Sequence, residues 1–242
     1  MTSNEKILLA KQNFAKIYNC DNNAWDSNEN IFIESEKMFF RINTFGKNTV
    51  MFADKQLIGW LTKTFKSTPT QEILDTDNRY IINEKLRTFG KKLSGEDMWY
   101  LHLLPEKVVK KPMGFTYKIF GQDSINEVHV SMKAQDVYKV LTHAVEEEGE
   151  YTLAMAAYDN DVLVAVAACE DYRDVWDIGV DTLPEYRGRG LAGYLVKELA
   201  LETEKRSKIA RYTTWSANIA STKVALNTGF YPVCLSHFCV DL

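Results

Sequence analysis

The chain of 242 residues begins on a helical rhythm. From Asn4 to Tyr18 the apolar residues Ile7, Leu8, Phe14 and Ile17 recur at three- and four-residue spacing, which predicts an amphipathic helix. The period then shortens. Met38–Ile42 and Thr49–Phe52 flank a turn holding Gly46 and Asn48, a hairpin signal, and helical stretches are expected at Lys55–Phe65 and Asn78–Leu93, with a further strand at Asp97–Leu104. Beyond Gly114 the pattern predicts a strand at Phe115–Phe120 and a helix at Ala134–Glu147 with Val137, Val140, Leu141 and Val145 on one face. Leu153–Tyr158 and Val162–Cys169 read as a second hairpin, closed by the polar turn Asp159-Asn160-Asp161. A strand at Val175–Asp181 leads through a loop to a helix over Gly190–Lys205, where Leu191, Tyr194, Leu195 and Leu199 form the stripe. Ile209–Thr214 follows as a strand, Ile219–Asn227 as a helix ended by Gly229, and Phe230–Val240 as the closing strand.

This alternation predicts an α/β (α+β) protein, a mixed central sheet flanked by helices. Turn formers and lysines concentrate at Pro105–Gly114, so a boundary is expected near Met113, between a smaller α+β accessory domain at 1–113 and a second domain at 114–242. Charge separates the same halves: residues 1–113 carry 17 basic and 14 acidic side chains, whereas residues 114–242 carry 12 and 19. A net charge of −4 provides no footprint for a nucleic-acid backbone, so nucleic acid is not expected as a partner. The longest apolar run, Val162–Cys169, is far short of the roughly 20 residues that span a bilayer, so no membrane partner is expected. The polar start Met1–Lys6 lacks a signal pattern, and a cytoplasmic location is the expectation. Cys20, Cys169, Cys234 and Cys239 read as small buried hydrophobes. Cys234, His237 and Cys239 supply at most three ligands at an untypical spacing, and no metal site is expected.

The chemistry concentrates in Val180-Asp181-Thr182-Leu183-Pro184-Glu185-Tyr186-Arg187-Gly188-Arg189-Gly190-Leu191-Ala192-Gly193. Glycines between a strand and a helix let backbone N–H groups crowd around an anion while the helix adds the positive end of its dipole. A tight turn with a helix cap is the plainer alternative. Gly188, Gly190 and Gly193 fit the dinucleotide pattern G-x-G-x-x-G, but the context does not. Seven residues, Asp181–Arg187, separate the strand from Gly188, the next strand ends near Thr214 without a carboxylate, and 54 residues follow Gly188, too few for further βα units.

Arg187-Gly188-Arg189-Gly190-Leu191-Ala192 also fits [RQ]-x-x-G-x-[GA], and Thr182-Leu183-Pro184-Glu185-Tyr186-Arg187 precedes it much as Val-x-Pro-x-Tyr-Arg would. With Asn218, Ser221, Gly229 and Phe230 at the matching spacing, residues 115–242 resemble the GNAT superfamily of acyl-CoA-dependent N-acetyltransferases. The resemblance implies acetyl-CoA as co-substrate and a small-molecule or peptide amine as acceptor. It implies that backbone groups of Val180, Asp181 and Thr182 meet the acyl-pantetheine arm, that the phosphates rest on Gly188–Gly193, and that Asn218 and Ser221 face the pantetheine. It also implies two strands splaying apart near Val180 and Trp215. Asn218 is equally well explained as a helix N-cap.

Acyl transfer to an amine needs alignment, an oxyanion donor and a base, for which Asp177, Asp181 and Glu170 are candidates, each also readable as a solvated strand-end charge. Many relatives carry a Tyr where this chain has Ala225, so the proton for the leaving thiolate would come from another phenol such as Tyr231, from water, or not be needed. That departure leaves open a catalytically silent acyl-CoA binding or sensing module. Acidic stretches at Glu146–Glu150 and Glu170–Asp174 would draw in a cationic amine, or form an ordinary solvated surface.

Overall fold

The computed structural model describes residues 1–146 and 149–242. In chain order the elements are α1 (Ser3–Tyr18), β1 (Ile31–Glu34), β2 (Phe40–Thr44), β3 (Thr49–Ala53), α2 (Lys55–Phe65), α3 (Thr70–Ile73), α4 (Thr76–Arg87) and β4 (Lys91–His102). They continue with β5 (Thr116–Gly121), α5 (Asn126–Ala134), α6 (Tyr138–Leu141), β6 (Tyr151–Asp159), β7 (Val162–Tyr172), β8 (Val175–Thr182), α7 (Leu191–Lys205), β9 (Ile209–Trp215), α8 (Ile219–Asn227) and β10 (Phe230–Asp241). The protein is mixed α/β, as the alternation of periods predicts. Among the described residues no helix is long and apolar enough to cross a membrane.

Two compact units form, from interleaved pieces of chain: residues 1–10, 100–213 and 218–231 in one, and residues 11–99, 214–217 and 232–242 in the other. This differs from a single break near Met113. The physical reason is that α1, β4, β9 and β10 each begin in one unit and end in the other, and a continuous helix or strand leaves no compositional mark where it changes neighbours.

In the unit built mainly from residues 11–99, β3 is the shared partner: β1 pairs with it in parallel and β2 antiparallel, and β10 adds to β2 with Phe238 opposite Arg41. Helix α2 is capped by the Asp54 carboxylate, which accepts from the Gln56 N–H, and turns Leu57, Leu61 and Phe65 into a core with Phe40, Ile42 and Met51. Helix α4 stops at Arg87, earlier than its apolar pattern suggests. Gly90 follows with a left-handed φ of +71°, and Leu93 already belongs to β4, which therefore starts six residues before Asp97.

The other unit carries the sheet β5-β6-β7-β8-β9, antiparallel throughout except for the parallel pair β8–β9. Alternate residues of β6 and β7, among them Ala154, Ala156, Val166 and Ala168, pack with Val128, Met132, Leu141 and Val145 from α5 and the segment around α6. The opposite face meets α7, where the Cys169 thiol lies 3.6 Å from the Thr203 hydroxyl. The predicted helix Ala134–Glu147 is not one helix. Asp136 takes a left-handed φ of +53°, which leaves α5 before it and the single turn α6 after it. Leu141 and Val145 are buried as their spacing indicates, so the pattern reported burial and not helix length. Glu147, the expected end of that helix, and Glu148 lie outside the described residues. Of the four cysteines, Cys169 and Cys234 are buried, whereas Cys20 and Cys239 are only half-buried.

The parallel pair is short. Strands β8 and β9 are in register at Val175–Ile209, Trp176–Ala210 and Asp177–Arg211 and then part, while β8 stays paired to β7 as far as Thr182. The fork is riveted at its last paired position. Arg211 Nη2 donates to Asp177 Oδ2 at 2.9 Å, Thr213 Oγ1 lies 3.2 Å from both carboxylate oxygens, and the guanidinium sits 4.7 Å over the Tyr172 ring.

Arg211 and Asp177 are 7% and 19% exposed, so removing one charge strands the other. Arg211→Met is expected to lose about 3 kcal/mol of stability in denaturant unfolding, with part of that loss recovered when Asp177→Asn is added. At Gly229, with φ +95°, an added Cβ would stand 2.3 Å from the Leu104 carbonyl oxygen. Gly229→Ala is expected to cost about 3 kcal/mol in the same measurement.

Candidate functional site

Beyond the fork, alternate backbone groups of Ile178–Thr182 lose the ladder partner they would have had on β9. Val180, Asp181 and Thr182, the residues the resemblance assigns to the acyl-pantetheine arm, lie on this stretch of β8. Gly179 has no side chain, and the segment after α6 is pressed against it: a Cβ there would be 2.9 Å from the His143 carbonyl oxygen. The Ala144 N–H donates to Asp181 Oδ2 at 3.0 Å and fixes that segment over the strand. The Asp181 carboxyl is held above its ordinary range by burial, offset in part by the N–H groups of Ala144 and His143 and the charges of His143 and Arg187. Glu170, opposite Asp177 on β7, is also raised by burial, against the hydrogen bond from Tyr172. Asp177 has both oxygens engaged by Arg211 and Thr213, which makes it the anchor of the fork.

The strand then enters the glycine loop. Leu183 closes β8 by donating its N–H to Val164 O at 2.9 Å, and a short turn over Pro184–Tyr186 follows. Arg187 donates back to Thr182 O, while the Tyr186 hydroxyl donates to Asp159 Oδ2 at 3.0 Å. Arg189 lies 4.8 Å over the Tyr186 ring and donates to Glu185 O. Gly188 and Gly190 adopt φ of +76° and +83°, values that favour glycine and turn the chain abruptly into α7. Gly190 is the N-cap and offers no side-chain acceptor, so the first-turn N–H groups of Leu191, Ala192 and Gly193 retain their hydrogen-bonding capacity and the helix its positive end. Leu191 is buried and anchors the turn. A cavity of about 610 Å³ adjoins the loop, lined by Gly188, Arg189, Gly190, Asp159 and the residues Lys110–Phe115.

Asn218 caps α8, its Oδ1 accepting from the Ser221 N–H at 3.1 Å, as its plainer reading required. Ser221 Oγ lies 2.6 Å from the Tyr212 hydroxyl, on the first β9 residue past the fork. Burial pushes the Tyr212 phenol up to about 12. Ala225 is fully buried, and Tyr231 is partly exposed at the start of β10. Lysines 110 and 111 escaped the sequence reading because their segment has the composition of a linker. Their recurrence beside Pro112 carried no period, and only the fold brings them to the glycines.

A fork of parallel strands that opens toward a glycine loop and an uncapped helix can admit an extended molecule with an anionic end: backbone donors for its reactive part, helix dipole and loop amides for its charge. Solved structures of similar fold include a GNAT-family protein from Novosphingobium aromaticivorans, 17% identical with a TM-score of 0.46, covering 62% of this chain and 66% of that one. A GNAT-family acetyltransferase from Colwellia psychrerythraea is 16% identical with a TM-score of 0.43, covering 62% and 57%. A Salmonella typhimurium protein solved with its cofactor acetyl-CoA is 16% identical with a TM-score of 0.37, covering 53% of this chain and 94% of that one. The chain thus spans just under two thirds of the length of the first of these and less of the second. No curated protein matches the chain. The profile of the GNAT acetyltransferase family matches residues 31–234, most of the sequence, and the chain belongs to that family.

Proposed function

We propose that the protein transfers an acetyl group from acetyl-CoA to an amine by direct attack of the amine nitrogen on the thioester carbonyl. The observation that carries the reading is the continuity of the fork at Asp177–Arg211 with the left-handed glycines 188 and 190 and the uncapped start of α7. Acetyl-CoA supplies an activated acyl group whose C–S bond breaks as the C–N bond forms. The chain's part is alignment and electrostatics. Backbone N–H groups freed between Ile178 and Thr182 stabilise negative charge on the carbonyl oxygen, and Gly188–Gly193 hold the pyrophosphate.

Asp181 is assigned as the base that takes the amine proton, because it stands on the freed strand and burial has raised its proton affinity above that of an ordinary carboxylate. Asp177 positions the fork. A thiol has a pKa of roughly 8.5, so the thiolate can depart without the phenol that Ala225 does not provide. The excess of 19 acidic over 12 basic side chains in residues 114–242 favours a cationic acceptor, whether small molecule or peptide. The second reading, a silent acyl-CoA sensor, rests on Ala225, and turnover with any amine above the no-amine hydrolysis rate would exclude it.

Calorimetric titration with acetyl-CoA is expected to show saturable binding, with none for NADH. Gly190→Asp, which places a carboxylate in the anion cradle, is expected to abolish that binding while the folded circular-dichroism spectrum persists; undiminished affinity would remove the loop assignment. A base acts deprotonated, so kcat should rise with pH through the Asp181 pKa, at higher pH than an ordinary aspartate would give. Asp181→Asn is expected to lower kcat by about 10²–10⁴ and flatten that limb. An unaltered pH profile would exclude Asp181 as the base.

A further inference from the structure

Residues Pro105–Phe115 contain neither helix nor strand, yet they are fastened along their length. Just before them, the N–H groups of Leu103 and Leu104 both donate to Gly229 O at 3.0 Å. Lys197 Nζ, buried on α7, donates to Pro105 O at 2.7 Å and lies 3.1 Å from His102 Nε2. Lys107 Nζ donates to Leu226 O at 2.6 Å, and the Tyr117 hydroxyl donates to Pro112 O at 2.9 Å. Pro112 comes to rest 3.7 Å from where a Gly190 Cβ would be. The segment is a strap tied to α7, α8 and β5 and laid beside the glycine loop.

The strap brings charge with it. Lys110 and Lys111 join Arg189 in lining the cavity, and Lys111 Nζ is steadied 5.0 Å from the Tyr117 ring and 5.9 Å from the Tyr194 ring. Among the described residues Asp159 is the one carboxylate on the wall, and its oxygens already accept from the Tyr186 hydroxyl and the Asn160 amide. Three cations against one hydrogen-bonded carboxylate leave the cavity positive. The glycine loop offers backbone amides to an anion, and the strap adds two side-chain cations to the wall of the same cavity.

We propose that Lys110 and Lys111 bind the 3′-phosphate on the ribose of CoA, so that the protein discriminates CoA from dephospho-CoA. The assignment rests on the acyl-CoA reading of the glycine loop and adds to it a determinant that the loop does not contain. Two ammonium groups on a phosphomonoester form charge-assisted hydrogen bonds, and both being exposed, their contribution weakens with salt.

The test is a pair of calorimetric titrations, with CoA and with dephospho-CoA, on the wild type and on the Lys110→Gln/Lys111→Gln double variant. The wild type is expected to bind CoA about tenfold or more tightly than dephospho-CoA, a ratio that shrinks as salt is raised. In the double variant the ratio should fall toward one, with dephospho-CoA affinity within about twofold of wild type, which also shows the site intact. Equal affinities in the wild type, or a double variant that weakens both ligands alike, would overturn the strap assignment and leave the loop's role standing. Binding of neither ligand to the wild type would overturn both.

Discussion

Everything proposed for this protein depends on two parallel strands that stay together for three residue pairs and then part. A continuous ladder between β8 and β9 would satisfy every backbone group and leave nothing to offer a substrate. The ion pair of Asp177 with Arg211 fixes where the ladder ends. It lies across the last registered pair, it is largely buried, and Thr213 from the parting strand takes a further contact to the same carboxylate. Charge buried this way gains little net stability, but it is costly to separate, which makes it suited to holding a register.

Past the fork, absence of side chains does as much as their presence. Gly179 lets the backbone of His143 and Ala144 lie on β8, and the Asp181 carboxylate then meets the Ala144 N–H. That burial raises its proton affinity, so the close approach that shapes the cleft also tunes the carboxylate proposed as the base. Gly188 and Gly190 supply the left-handed backbone that brings α7 to point its uncapped end at the same region. Further along, a buried cluster in which Glu204 pairs with Lys6 and with His102, and Lys197 reaches His102 and Pro105, holds the end of β4 and the start of the strap against α7. Burial lowers the proton affinity of Lys197, yet its carbonyl and imidazole partners are in place, so the polar atoms at this junction are satisfied.

The sequence by itself determined the local structure wherever chain neighbours carry the signal. The periods of α2, α7 and α8, the hairpin turn at Asp159–Asp161 and the glycine loop are each set by residues within a few positions of one another, and so is the N-cap made by Asn218 to Ser221. Where a period met a backbone break it misled. Val137, Leu141 and Val145 recur every four residues because they face a core, but Asp136 turns left-handed and no long helix forms. Tertiary structure alone decided the fork, since Asp177 and Arg211 are 34 positions apart and nothing in either neighbourhood fixes their register. It alone decided the surroundings of the two aspartates, giving Asp177 a guanidinium and Asp181 a backbone amide. It alone turned Pro105–Phe115 from a linker into a strap, because the groups that fasten it, Lys197, Leu226 and Gly229, come from about 90 to 130 residues further along the chain. Pairings over such distances are settled by which surfaces pack together, and that information is held by the whole chain and by no single stretch of it.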